Sequence, residues 1–144
     1  MIYFDTSYLV RLYIADPGYE KVRRLAETAP IASSILGRIE VHGALHRKLR
    51  EGNLNIPEYR ILLTEFSRDC EAGAFRWLPL SGVVTERCER VFAALPAGVF
   101  LRSGDALHLA SASENRFREI YSNDRNLLTA APYFELSGID ILAG

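Results

Sequence analysis

The feature that most constrains the fold is a rhythm that runs the length of the chain. Short apolar runs rich in β-formers alternate with longer stretches of helical spacing. "MIYF", "PIASS", "FRWLPL", "REIYS" and "IDIL" read as strands. Between them, "SYLVRLYIAD", "YEKVRRLAETA", "ILGRIEVHGALHRKLREG", "EYRILLTEFSRDCEAG" after Pro57, "VVTERCERVFAAL", "DALHLASASEN" and "DRNLLTAAPYF" read as helices. Short apolar strands joined by helices predict an α/β fold whose parallel sheet is covered on both faces. In such a sheet, function gathers beyond the carboxyl ends of the strands, where the strand order reverses.

The 144 residues suit one domain spanning 1–144, and a 49% hydrophobic content supplies a sizeable core. No repeat or linker divides the chain. The net charge of −1 predicts no general attraction to polyanions, so a nucleic acid would be held by local patches or through bound cations. The opening "MIYFDTSYLVRLYIAD" lacks a basic start and is interrupted by Asp5 and Arg11, unlike a signal peptide. No run is long enough to span a membrane. The expectation is a soluble cytoplasmic protein without membrane contact. Cys70 and Cys88 are far from C-x-x-C spacing and read as small helix-packing residues in a reducing compartment.

Four acids fall at the places this topology marks. Asp5 follows the first strand, and Asp124 follows "IYS" through Ser122 and Asn123. Glu40 lies in the first turns after the second strand, and Asp105 opens its helix. Each alone reads readily as a helix cap or a first-turn acid. Capping does not explain why a carboxylate recurs at each strand exit. If the strands are parallel, all four project from one edge of the sheet. Clustered carboxylates repel, and desolvation raises the cost, so they share protons or bind a cation. Oxygen ligands without cysteine or a persuasive histidine set favour Mg²⁺ or Mn²⁺. Such an ion bridges to phosphate oxygens and activates water, which suits phosphodiester hydrolysis.

Other residues carry weaker signals. Gly37, Gly43 and Ala44 leave small side chains beside Glu40, which suits either substrate access or close helix packing. His42 and His46 have i, i+4 spacing without a third ligand, so a solvated face is favoured over a zinc site. His108, one turn beyond Asp105, reads as a core hydrogen-bonding group or a loop support rather than a direct catalyst. Arg38, Arg47, Lys48 and Arg50 make one helix basic, as an RNA-tracking face or an ordinary solvated one. Arg11 and Arg102 flank acids and read as surface ion pairs, or as contacts to phosphate or a partner's carboxylate. Tyr3, Phe4, Phe66, Trp77 and Phe92 read as core.

"YFDTSYLV", Glu40 within "ILGRIEVHGAL", "LRSGDALHLASA" and "YSNDRNLLTAA" stand in an ordered set that spans nearly the whole chain. In that set the sequence resembles the PIN-domain ribonucleases, specifically the VapC-like toxins of bacterial toxin–antitoxin pairs. The resemblance implies a three-layer α/β/α sandwich around a parallel sheet. It also implies divalent-metal-dependent endonucleolytic cleavage of RNA. Asp5, Glu40, Asp105 and Asp124 match the family's acidic positions, and Thr6 and Ser122 match polar positions that support them. On this reading Asp5 and Asp105 are the main Mg²⁺ ligands. Glu40 holds the ion or the attacking water, and Asp124 completes the ring or supports a second ion. The nucleophile is water activated by the cation. The resemblance further implies a homodimer, for which the apolar face of the 57–72 helix is available, and a cognate antitoxin lying across the groove. Residues 53–100 match no motif of the family.

Two other classes compete. One is a PIN-like module that binds RNA or protein without turnover, although it would have no use for four repelling carboxylates. The other is a phosphatase with an aspartyl nucleophile, suggested by "FDTS" after a strand. That chemistry wants a second aspartate two residues on, where this chain has Ser7.

Overall fold

A computed structural model describes residues 1–143. Five short strands carry the fold: β1 (Ile2–Tyr3), β2 (Ile31–Ser34), β3 (Phe75–Leu78), β4 (Glu119–Tyr121) and β5 (Ser137–Ile139). All pair in parallel, β1 with β2, β2 with β3, and β4 with β5. A parallel bridge between Phe4 and Tyr121 joins the two groups. The spatial order is therefore β3-β2-β1-β4-β5. The chain builds outward from β1 on one side, then returns to build on the other. The order reverses between β1 and β4.

The helices are α1 (Thr6–Arg11), α2 (Tyr19–Ala26), α3 (Ile35–Arg50), α4 (Ile56–Glu71), α5 (Gly82–Ala94), α6 (Ser103–Glu114) and α7 (Arg125–Ala130). A 3₁₀ turn over Ala131–Phe134 follows the last. Alternation along the strands sorts them into two outer layers. Phe4, Ile31 and Phe75 face one core with Leu9, Val22, Val41, Leu45 and Phe66, from α1 to α4. Tyr3, Ala32 and Ile120 face the other with Val84, Leu109, Leu127 and Phe134, from α5 to α7 and the turn. This is the expected three-layer arrangement. Among the described residues, no helix is long and apolar enough to cross a membrane.

Several boundaries differ from expectation for local reasons. Helix α1 stops at Arg11, and the chain passes through turns before Pro17. Pro79 ends β3 two residues before "FRWLPL" does. The last strand is not "IDIL". It lies earlier, because β5 pairs only where β4 offers partners, and the Asp140 carboxylate then turns the chain by accepting from the Leu142 N–H at 2.9 Å. Helix α6 begins at Ser103, which leaves Asp105 in its first turn. Phe92 is 42% exposed and does not join the core.

The α4 start is a capping box: the Asn55 side chain accepts from the Glu58 N–H, and the Glu58 carboxylate accepts from the Asn55 N–H. His42 packs edge-on to Phe66 and His46 to Tyr59, so both belong to the α3–α4 contact. In the basic run, Arg47 pairs with Glu51 and Lys48 with Asp16. The two cysteines are free.

Candidate active site

Asp5 leaves β1 at the reversal point. Its N–H donates to the Tyr121 carbonyl at 3.0 Å, which fixes the backbone against β4. Its side chain N-caps α1 through the Tyr8 N–H and is 4% exposed. Ser7 donates to one carboxylate oxygen and Ser122 to the other, each at 2.6 Å. Ser7 Oγ in turn accepts from the Asn123 N–H, and Ser122 Oγ from the Asp124 N–H. The exits of β1 and β4 are thus laced together through one carboxylate.

Glu40 comes from α3. Its Oε1 accepts from Thr6 Oγ1 at 2.8 Å and from His108 Nε2 at 2.6 Å. His108 is 2% exposed, on the face of α6 that meets β1. Its other nitrogen, Nδ1, lies 2.8 Å from the Tyr3 hydroxyl. The hydrogen-bond network assigns the tautomer. The Ser34 N–H donates to Tyr3 Oη at 3.0 Å, so the tyrosine gives its own hydrogen to Nδ1. Nε2 then carries the hydrogen that points at Glu40. A chain of donors therefore runs from the end of β2, through Tyr3 and His108, to a carboxylate at the surface. Close packing permits it. A Cβ on Gly37 would lie 2.8 Å from Ser33 Oγ and 3.3 Å from His108 Cε1. A Cβ on Gly104 would lie 3.5 Å from Glu40 Oε2. The small side chain at Gly37 therefore serves helix packing, whereas Gly43 faces open space.

Asp105 and Asp124 meet across a guanidinium. Arg102 Nε lies 3.3 Å from Asp105 Oδ2, and Nη2 lies 2.6 Å from Asp124 Oδ2. Asp124 also N-caps α7, accepting from the Asn126 and Leu127 N–H groups. Arg11 is used differently: it donates to the carbonyls of Ser7 and Pro17 and to the Asn123 side chain.

Asp5, Thr6, Ser7, Glu40, Arg102, Gly104, Asp105, His108 and Asp124 line one cavity of about 320 Å³. All four acids singled out in the sequence meet there, with Thr6 on the wall. Ser122 stands behind Asp5 rather than on the wall. His108 is the buried hydrogen-bonding group expected and Arg102 forms ion pairs as expected, but the contact of His108 with Glu40 and that of Arg102 with Asp124 were not apparent in the sequence. A signal for the first existed: Tyr3 and Asp5 are two apart on one strand face, and Asp105 and His108 are three apart on one helix face.

The carboxylates differ in electrostatics. Burial pushes the Asp5 carboxyl above its ordinary range, against the hydrogen bonds from Ser122 and Ser7. Burial, then the nearby Asp124 charge, pushes Asp105 up, opposed by Arg102. Burial would raise Glu40 too, but the bonds from His108 and Thr6 and the Arg102 charge outweigh it and hold Glu40 below its ordinary value. Asp5 and Asp105 bind their protons more tightly folded than unfolded. Their ionisation therefore destabilises the cation-free fold as pH rises from the ordinary carboxylate range, near about 3.9, through their folded values. Glu40 acts in the opposite sense: its contribution is present at neutral pH and is lost as pH falls through its folded value. Urea melts in EDTA across this range are expected to show the Asp5 and Asp105 penalties removed by Asp5→Asn and Asp105→Asn. Unchanged pH profiles in both variants would refute this account.

A family model for the PIN domain matches residues 2–131. The chain belongs to the PIN-domain family. No curated protein matches it. Solved structures similar to this PIN domain include FitAcB from Neisseria gonorrhoeae, with a TM-score of 0.77 at 16% identity over 96% of each chain. VapBC2 from Rickettsia felis, bound to a DNA fragment from its promoter, gives 0.68 at 17% identity over 97% of this chain and 98% of that one. VapC20 of Mycobacterium tuberculosis, a sarcin–ricin-loop-cleaving toxin, gives 0.67 at 18% identity over 95% and 99%. At these identities the likeness establishes a common fold. The PIN domain and its α/β architecture thus agree with the resemblance read from the sequence.

Whether the cavity suits a divalent cation is answered by its donors. Among the described residues, no three His, Cys, Asp or Glu side chains stand close enough to form a ready cage. The reason is visible in the contacts: Arg102 stands between Asp105 and Asp124, and Glu40 is drawn onto His108. The guanidinium is a stand-in cation. A wall of four carboxylates holding one positive group has the hard-oxygen chemistry that Mg²⁺ or Mn²⁺ requires.

Proposed function

We propose that this PIN domain is a Mg²⁺- or Mn²⁺-dependent endoribonuclease, the toxin of a toxin–antitoxin pair. The observation that carries the reading is the meeting of four carboxylates, from four separate segments, in one cavity at the point where the strand order reverses. Asp5 and Asp105 would hold the cation, with Asp124 completing the oxygen set. When bound, the cation neutralises the acids and the scissile phosphate and makes a water acidic enough to attack. Glu40, fixed by Thr6 and His108, would hold the cation or orient that water by accepting its hydrogen bond. Ser7 and Ser122 keep both Asp5 oxygens in place. No side chain acts as nucleophile.

Partners follow from the same reading. A structure of similar fold, with a TM-score of 0.59 at 19% identity over 96% of each chain, is a toxin–antitoxin complex from Klebsiella pneumoniae, which supports a cognate antitoxin for this chain. VapC20 is a toxin that cleaves the sarcin–ricin loop, which supports RNA as substrate here. A homodimer is part of the proposal. Ile56 and Ile61 on α4 are more than half exposed and offer apolar surface for it. The place of action is the cytoplasm.

The purified protein is expected to cut RNA with Mn²⁺ or Mg²⁺ and not in EDTA. It is also expected to melt at a higher temperature with millimolar Mn²⁺, because the ion binds only the folded state. No cleavage and no shift in melting would replace this reading with the catalytically silent binding module.

A further inference from the structure

We propose that Arg102 is a built-in competitor of the divalent cation, holding the Asp105 and Asp124 carboxylates until the ion displaces it and thereby setting how much cation the site needs. This rests on the metal-dependent reading above and concerns a residue that reading leaves without a role.

The four acids are not satisfied alike. Asp5 is held by two hydroxyls and a backbone N–H, and Glu40 by a hydroxyl and an imidazole. None of these donors is a permanent cation, so an incoming ion need not displace them. Asp105 and Asp124 instead share a guanidinium. Its contacts fall on Oδ2 of each, and both residues line the cavity an ion would enter. Asp124 Oδ1 is already used by the α7 cap, so Oδ2 is its remaining donor atom. An ion that takes these two oxygens must turn Arg102 away.

The grip is suited to release. Each carboxylate receives one nitrogen rather than the two-pronged fork that makes arginine–carboxylate pairs strong. The Arg102 side chain is 58% exposed, so water screens it and receives it when it leaves. It sits at the N-cap position of α6 with extended backbone and makes no side-chain cap bond there. Turning it outward therefore leaves the helix start unchanged. Without any cation, Asp105 and Asp124 would face each other unneutralised, and Asp105 already feels the Asp124 charge. Arg102 thus stabilises the cation-free site and opposes loading of the same site. By linkage, whatever strengthens one weakens the other.

Two side chains offer a check. Gln at 102 keeps length and polarity but removes the charge. Lys keeps a charge but only as a point, without the planar spread that spans both oxygens. Calorimetric titration of the metal-free wild type, Arg102→Gln and Arg102→Lys with Mn²⁺, without RNA, reads the competition directly. The expected result is about two- to fivefold tighter Mn²⁺ binding for Arg102→Gln, the scale of an exposed ion pair, with Arg102→Lys between it and wild type. In EDTA, Arg102→Gln is expected to melt below wild type, and saturating Mn²⁺ to narrow or reverse the difference. A merely structural arginine would lower stability equally with and without the ion. If wild type binds Mn²⁺ and Arg102→Gln binds it equally or more weakly, the competitor role is overturned while the metal site stands. If neither protein binds, both fall together.

Discussion

Replacing Asp5 by asparagine is expected to remove nearly all cation-dependent RNA cleavage and to leave the fold intact. The loss should be about a thousandfold, since the several kcal/mol that a bound cation contributes convert at about 1.4 kcal/mol per factor of ten. The fold survives because asparagine still presents an oxygen to the Tyr8 N–H and Ser7, and an amide to Ser122, whose Oγ accepts. In EDTA at neutral pH the variant should melt above wild type, because burial works against the ionised Asp5. At pH 3 that advantage should vanish. A variant that melts higher and cuts nothing separates function from folding at one residue. Cleavage at the wild-type rate would remove Asp5 from the mechanism.

His108 gives the second large effect, through another residue. Alanine at 108 removes a buried ring, opens space beside β1, and leaves the Tyr3 hydroxyl and Glu40 without their shared partner. The expected cost is about 2–4 kcal/mol of stability, from the cavity and the unsatisfied groups together. Cleavage should fall by a further factor of about 10–100, as for groups that orient a ligating side chain. Glutamine separates the two effects. Its carbonyl can accept from Tyr3 and its amide can donate to Glu40, in the order the network requires. His108→Gln is expected to recover most of the Mn²⁺ affinity even where it recovers only part of the stability. Equal Mn²⁺ affinity in wild type, alanine and glutamine variants would reduce His108 to a packing residue.

Asp5 and Asp124 were legible because each stands where an apolar strand ends, and Glu40 and Asp105 because each lies near the start of a helix. A parallel sheet sends every such end to one edge, so position in the chain translated directly into position in space. Asp5 and Asp124 also cap their helices, which shows that capping and cavity lining are not rival explanations. Arg102 was harder. Its partners are three residues away and across the sheet's reversal point, and only the second contact makes it more than a local ion pair. His108 was half legible: its helix face was evident, but meeting Glu40 depends on how closely α3 approaches α6, which Gly37 and Gly104 decide. The last strand was misplaced because "IDIL" looks more apolar than "SGI". Pairing followed the partner available in β4, not hydrophobicity.

The placement of β1 in the middle of the sheet has a consequence for synthesis. Its flanking partner β4 is translated long after it, and 117 positions separate Asp5 from the Ser122 that steadies it. At the usual pace of elongation this gap amounts to roughly ten seconds. During that interval β1 has only β2 beside it, with β3 beyond, and the four acids cannot yet meet. A nuclease emerging on a ribosome, itself built of RNA, would thus stay harmless to its maker until nearly all of the domain has been made.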